Sequence, residues 1–194
     1  MGVQDSTVKQ MLARIAAAQH GVVTRAQLRG ASVSAKQIEH RLGVGQLIRE
    51  HRGVYRVGHR ASSEEARYLA AVLACGRRAV LSGRAAGHLL GLLKGSPPPP
   101  EVTTATMRQV AGVVTRRCRH MDARDVTRYR GIPVTTVPRA LVDLAAGLAI
   151  DDLARACHEA GVLYRTTPAQ VDAVLERRPN SPGAPNCEQS CTAR

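Results

Sequence analysis

Apolar residues return at helical spacing from the start of the chain. Val8, Met11, Leu12 and Ile15 form one face of a helix expected over 6–19 and ending at Gly21. Val22 and Val23 make a short extended step. Thr24 with Gln27 matches a capping box, so a second helix is expected from Arg25, burying Ala26 and Leu28 and stopping at Gly30. Ser34 with Gln37 matches another, opening a third helix whose Ala35, Ile38 and Leu42 face inward and which ends at Gly43 and Gly45. Leu47, Ile48, Val54, Tyr55 and Val57 then read as two strands joined through Glu50, His51, Arg52 and Gly53, a hairpin with a basic tip.

Past residue 60 the periods change repeatedly. Ser62 with Glu65 predicts a capped helix carrying Leu69, Val72 and Leu73 to Gly76. Ala79–Leu81 reads as a strand, and Ser82 as the cap of a helix with Ala85, Ala86, Leu89 and Leu90. Four consecutive prolines, 97–100, fit neither helix nor inner strand and act as an extended spacer. Three short strands are expected around Val102 and Thr104, Val113 and Val114, and Ile132 and Val134. A helix follows from Thr136, with Pro138 in its first turn and Leu141, Val142 and Leu144 inside. Two more lie near 151–161 and 168–177, the last capped by Thr167 with Gln170. The expected fold class is α+β: a winged helix-turn-helix over 1–60, a small mixed α+β domain over 61–178, and a disordered tail over 179–194.

Charge sharpens the first part of this picture. The chain of 194 residues has a net charge of +13 and a pI of about 10.7, which places polyanions first among partners. Residues 1–60 hold ten Lys/Arg against three Asp/Glu, the densest basic stretch. With no Phe, no Trp and four Tyr, the chain lacks the aromatic platforms that grip single strands and unpaired bases, which argues against that mode. The third helix presents Lys36, Gln37, His40 and Arg41 outward. A winged helix lays that helix in the major groove and sets its hairpin on phosphates or the minor groove. The candidate DNA-contact set is Arg25, Lys36, Gln37, His40, Arg41, Arg49 and Arg52. Gln37 has two open readings, a base contact or occupation by its own helix end. His40 has three: base, phosphate or solvent. Glu39 would repel phosphate, so an ion pair to one side is expected. Residues 1–60 are expected to suffice as a salt-sensitive duplex binder. A second basic cluster, Arg108, Arg116, Arg117, Arg119, Arg124, Arg128 and Arg130, reads either as a solvated sheet face or as a further nucleic-acid contact.

The phrases "AAAQHGVVTRAQL", "SAKQIEHRLGVGQLIREHRGVYRVG", "AAVLACGRRAVLSGRAAGHLLGL" and "GIPVTTVPRALVDLAA" resemble the AbiEi-type antitoxins of bacterial type IV toxin–antitoxin systems, over roughly residues 8–178. The resemblance implies a winged helix that represses its own promoter. It also implies a second domain that neutralises a nucleotidyltransferase-like toxin without a stable complex. Similar chains continue into a very-short-patch-repair-like endonuclease, so the alternative reading is the front half of an endonuclease-related protein whose winged helix delivered a nuclease to DNA.

No residue set argues for chemistry. There is no E-x-K, no nucleophile elbow at Ser82 and no glycine-rich phosphate loop. Cys118 and His120 form a dyad on paper without a third orienting group. Cys75, Cys118 and Cys157 are isolated and no C-x-x-C occurs, so buried thiols in a reducing compartment are expected. The sequence therefore points to a non-enzyme with no metal and no cofactor. Lacking a signal core and any apolar run near 20 residues, it is expected in the cytoplasm. Arg139 and Asp143, one turn apart, are expected to pair, and Arg84 is a further polar residue of interest. The tail departs from the resemblance. Read one base earlier, the back-translated end becomes Leu-Arg-Ala-Val-Leu-His-Gly-Ala, the helix the family would place there. A frameshift near Pro185 is the expected origin, and sequencing the gene tests it.

Overall fold

Two reciprocally capped helices set the N-terminal architecture. In a computed structural model of the chain, which describes residues 10, 13–58, 63–184 and 186, residues 13–18 are helical (α1). Val8, Met11 and Leu12 lie outside the described residues. Then come β1 (Val22–Thr24), α2 (Arg25–Gly30), α3 (Ala35–Gly43), β2 (Leu47–His51) and β3 (Val54–Val57). Both capping boxes form: Gln27 N–H donates to Thr24 Oγ1 at 3.1 Å and Gln37 N–H to Ser34 Oγ at 3.2 Å, while each glutamine Oε1 accepts from the cap residue's N–H at 2.8 Å. Ala26 is exposed, against expectation, because only Leu28 of α2 turns inward. The hairpin closes through Arg52 and Gly53, the glycine at φ +77, where a side chain would be strained.

The three strands pair antiparallel in the order β1-β3-β2, and successive residues face opposite sides. One side sends Val23, Leu47 and Tyr55 into a core with Leu28, Val33 and Ile38. The other side carries Val22, Val54 and Arg56. It is covered by α4 (Glu64–Cys75), and both valines belong to the larger core of the body. The outer face of this sheet is therefore packed against protein.

The α4 cap is Ser63, whose Oγ accepts from Ala66 N–H at 3.1 Å. The cap was expected at Ser62 with Glu65; Ser62 lies outside the described residues, and the cap bond is made by Ser63. The body continues with β4 (Val80–Leu81), α5 (Gly83–Leu89), β5 (Glu101–Thr104), β6 (Val114–Arg117), β7 (Val126–Tyr129), β8 (Ile132–Thr135), α6 (Val137–Ala145), α7 (Ile150–Tyr164) and α8 (Pro168–Arg177). Its strands run in the order β6-β5-β4-β8-β7, with β4–β8 and β5–β6 parallel. Four strands follow the prolines where three were expected. β7 is an edge strand whose half-buried residues do not alternate.

The proline spacer is pinned to α4: Tyr68 Oη donates to Pro98 O at 3.2 Å and Arg67 Nη2 at 2.9 Å. Ser82 precedes α5 but makes no cap bond, its Oγ accepting instead from Thr103 Oγ1 at 2.8 Å. The buried Glu101 carboxylate replaces it, accepting from Arg84 N–H at 3.1 Å. An acid at a helix start meets free amides and the positive end of the dipole. Gly83, at φ +55, makes room for it, since a Cβ there would overlap the carboxylate. Of the segment expected as a tail, Gly183 is buried against Ala145 and Ala146, and Asn186 Nδ2 donates to Ala145 O at 3.0 Å. Pro185 and residues 187–194 lie outside the described residues.

Candidate nucleic-acid interface

The exposed face of α3 assembles from its spacing. Ile38 is buried while Lys36, Gln37 and His40 are exposed and Arg41 is half-exposed. Gln37 is partly committed: its Oε1 accepts from Ser34 N–H, which leaves the Nε2 amide and one oxygen lone pair to offer. With the cap intact the cap bond orients the side chain, and Nε2 is the group free to donate to a base edge. Arg41 Nη1 donates to Gln46 Oε1 at 3.2 Å, tying its guanidinium to the segment that follows α3.

The α2 start and the hairpin turn meet. Arg25 N–H donates to Gly53 O at 2.8 Å, so Arg25 and Arg52, both exposed, stand on adjoining backbone. The hairpin's charge is smaller than its sequence suggests. Glu50 Oε1 accepts from Arg56 Nε at 2.6 Å, and Arg56 is buried on the α4 side of the sheet. Burial lowers the His51 pKa, only partly opposed by Glu50, so His51 is neutral at pH 7. That leaves Arg49 and Arg52 as the hairpin's cations. Arg49 lies 3.9 Å from Glu39, the sideways ion pair expected for that glutamate. Both are exposed, so the pair is weak and is readily exchanged for a phosphate.

A contact ties this unit to the β7–β8 turn of the body, and a second ties that turn to α4. His20 Nε2 donates to Arg130 O at 2.7 Å, and Arg130 Nη1 donates to Glu65 Oε1 at 2.7 Å. The Glu65 carboxyl is held below its ordinary value, first by a backbone hydrogen bond and then by Arg130.

The second basic cluster is not one face. Arg116 pairs with Glu101, Arg124 with Asp122 and Arg130 with Glu65, and Arg128 donates to Gly131 O. Arg108, Arg117 and Arg119 have no acidic partner among the described residues. Adjacent strand positions such as Arg116 and Arg117 point to opposite sides.

Inside the body, Arg139 Nε donates to Asp143 Oδ1 at 2.9 Å, as expected for the i, i+4 pair. Its Nη1 also donates to Asp125 Oδ2 at 3.1 Å, and Arg177 Nη2 reaches Asp125 Oδ1 at 2.7 Å. Asp125 carried no sequence signal, because its partners lie 14 and 52 residues away. The Arg84 side chain is exposed, and the bond it makes to Glu101 uses backbone. Cys118 and His120 form no dyad: the thiol donates to the His120 carbonyl at 3.3 Å and its Sγ accepts from Arg178 Nη1 at 3.3 Å. Among the described residues no group of three His, Cys, Asp or Glu is placed to hold a metal, and no helix is long and apolar enough to cross a membrane.

Residues 10–58 match the family model described as transcriptional regulator, AbiEi antitoxin. No curated protein matches the chain. Among solved structures, the crystal structure of the RV2827C protein from Mycobacterium tuberculosis is similar with a TM-score of 0.61 and 17% identity, over 98% of this chain and 77% of that one. At that identity the likeness concerns the fold.

Proposed function

We propose that the chain is a DNA-binding transcriptional regulator which represses its own promoter as the antitoxin of a type IV system. The observation that carries this reading is the α3 face: Lys36, Gln37, His40 and Arg41 project from one helix, within the segment that matches the regulator family. α3 enters the major groove with Lys36 and Arg41 at base edges, Gln37 donating through Nε2 and His40 beside them. Arg25, Arg49 and Arg52 hold phosphates. Residues 1–60 read the DNA and 61–178 carry the antitoxin activity.

The test is a gel shift of the full chain on duplex from its own upstream region, across a salt series. Arg41→Ala is expected to cost about 1–3 kcal/mol on the preferred site and little on random duplex. Arg52→Ala should weaken both DNAs alike and flatten the salt dependence by about 0.9 per phosphate released. Identical behaviour of the two variants on both DNAs would show the docking to be wrong.

The antitoxin half is tested in the intact chain. Lys36→Ala/Arg41→Ala is expected to lose promoter repression yet still restore growth when coexpressed with a neighbouring nucleotidyltransferase-like toxin. Loss of both activities together would refute the separation of the two roles.

A further inference from the structure

Where the parallel strands β5 and β6 end, the body holds a cleft of about 430 Å³ that the DNA reading does not use. Its walls carry four guanidinium groups from three parts of the chain: Arg78 before β4, Arg119 after β6, and Arg177 and Arg178 at the end of α8, with His120 beside them. Two acids also line it, Asp122 and Asp125, and both are already satisfied. Asp125 accepts from Arg139 and Arg177. Asp122 accepts from Arg124 through side chain and backbone, bonds that hold its carboxyl far below the ordinary carboxylate range.

Some of the donors are satisfied, Arg177 Nη2 by Asp125 and Arg178 Nη1 by Cys118 Sγ. Arg78 and Arg119 are exposed and have no ion pair or hydrogen bond among the described residues, so their guanidinium groups are available to a ligand. The Nε atoms of Arg177 and Arg178 are buried without a hydrogen-bond acceptor, Arg177 Nε lying 3.7 Å from the nearest Asp122 oxygen. Buried donors are ordinarily paired, so the two open Nε atoms beside a concave, cationic site mark a missing acceptor, and the exposed Arg78 and Arg119 stand at the same cleft to meet it. Guanidinium groups present forked donors that fit the oxygens of a phosphate. No Phe, Tyr or Trp lines the cleft, and its guanidinium groups outnumber its one imidazole, so recognition centres on the phosphate.

We propose that this cleft binds the phosphate groups of a nucleotide or nucleic-acid chain, at a site separate from the α3 face. Its volume lies within the range of small-ligand sites, which suits a pyrophosphate or one phosphorylated nucleotide.

The experiment is calorimetric titration of the full-length protein at low salt with inorganic pyrophosphate, ATP and a 5′-phosphorylated RNA octamer. Pyrophosphate is expected to saturate at one per chain. Arg78→Ala/Arg119→Ala should weaken it by about tenfold or more, as expected for lost charge-assisted bonds. Arg29→Ala/Arg128→Ala removes the same charge outside the cleft and should change affinity less than twofold, and Lys36→Ala/Arg41→Ala likewise. Thermal melts check that each variant is folded. ATP binding with the same arginine dependence identifies a free nucleotide as the ligand, and octamer binding in its place identifies a chain. Absence of saturable binding for all three probes, or equal loss in the control variants, overturns the proposal.

Discussion

Arg139→Ala is expected to destabilise the protein by about 3–5 kcal/mol in urea denaturation at pH 7, the cost of breaking a buried charge network from one side. Arg139 is 2% exposed and Asp125 1%, so water cannot replace the guanidinium. Its removal strands the Asp143 carboxylate, whose Oδ2 is already buried without a partner, and takes one of two donors from Asp125. Arg139→Met, which keeps most of the volume, should lose nearly as much, because charge rather than space is what goes missing.

The pH dependence follows from the acids. Burial already pushes the Asp143 carboxyl up, with Arg139 opposing. Without Arg139 that opposition disappears and the folded-state pKa rises further above the unfolded value of about 3.9. A carboxyl raised in the folded state favours folding below its unfolded pKa and loses that benefit as pH climbs through the folded value. The deficit of Arg139→Ala relative to the wild type should therefore shrink as pH falls from 7 towards 4. A loss under about 1 kcal/mol, or a deficit independent of pH, would mean the network does not stabilise the fold as its geometry indicates.

The isolated segment 1–60 is expected to lose cooperative folding, contrary to what its sequence suggests. Val22 and Val54 are 0% and 2% exposed, and they are buried in the body's core, under α4, rather than among the segment's own helices. Uncovering a buried valine forfeits about 1.5–3 kcal/mol. Two such losses match the whole stability of a domain this small, roughly 3–9 kcal/mol. Arg56 would also lose its cover. The expected result is a broad thermal transition and poor amide dispersion for 1–60, beside one sharp transition for the full chain. A sharp melt with native-like dispersion for 1–60 would show the sheet to be stable without α4. Any DNA measurement on the full chain then reports on an α3 whose supporting sheet is completed by the body.

The amino-acid order by itself determined what a few neighbouring residues can settle. The boxes Thr24/Gln27 and Ser34/Gln37, the glycine at the hairpin turn, the outward α3 face and the Arg139–Asp143 pair all act within about one helical turn, so their partners are legible side by side. The match over residues 10–58 agrees with the antitoxin phrases found there. Tertiary structure decided everything that depends on which distant surfaces meet. Val22 and Val23 look alike in sequence, yet they face different cores because α4 covers one side of the sheet. Ala26 stays in solvent because α2 turns only Leu28 inward. The edge strand β7 carries two exposed residues in succession and so shows no period of two. Asp125, Glu101 and the four cleft arginines come from segments spread over a hundred residues of chain. Their charges are paired or left open only by the order in which the strands join the sheet, a long-range choice that no local pattern records.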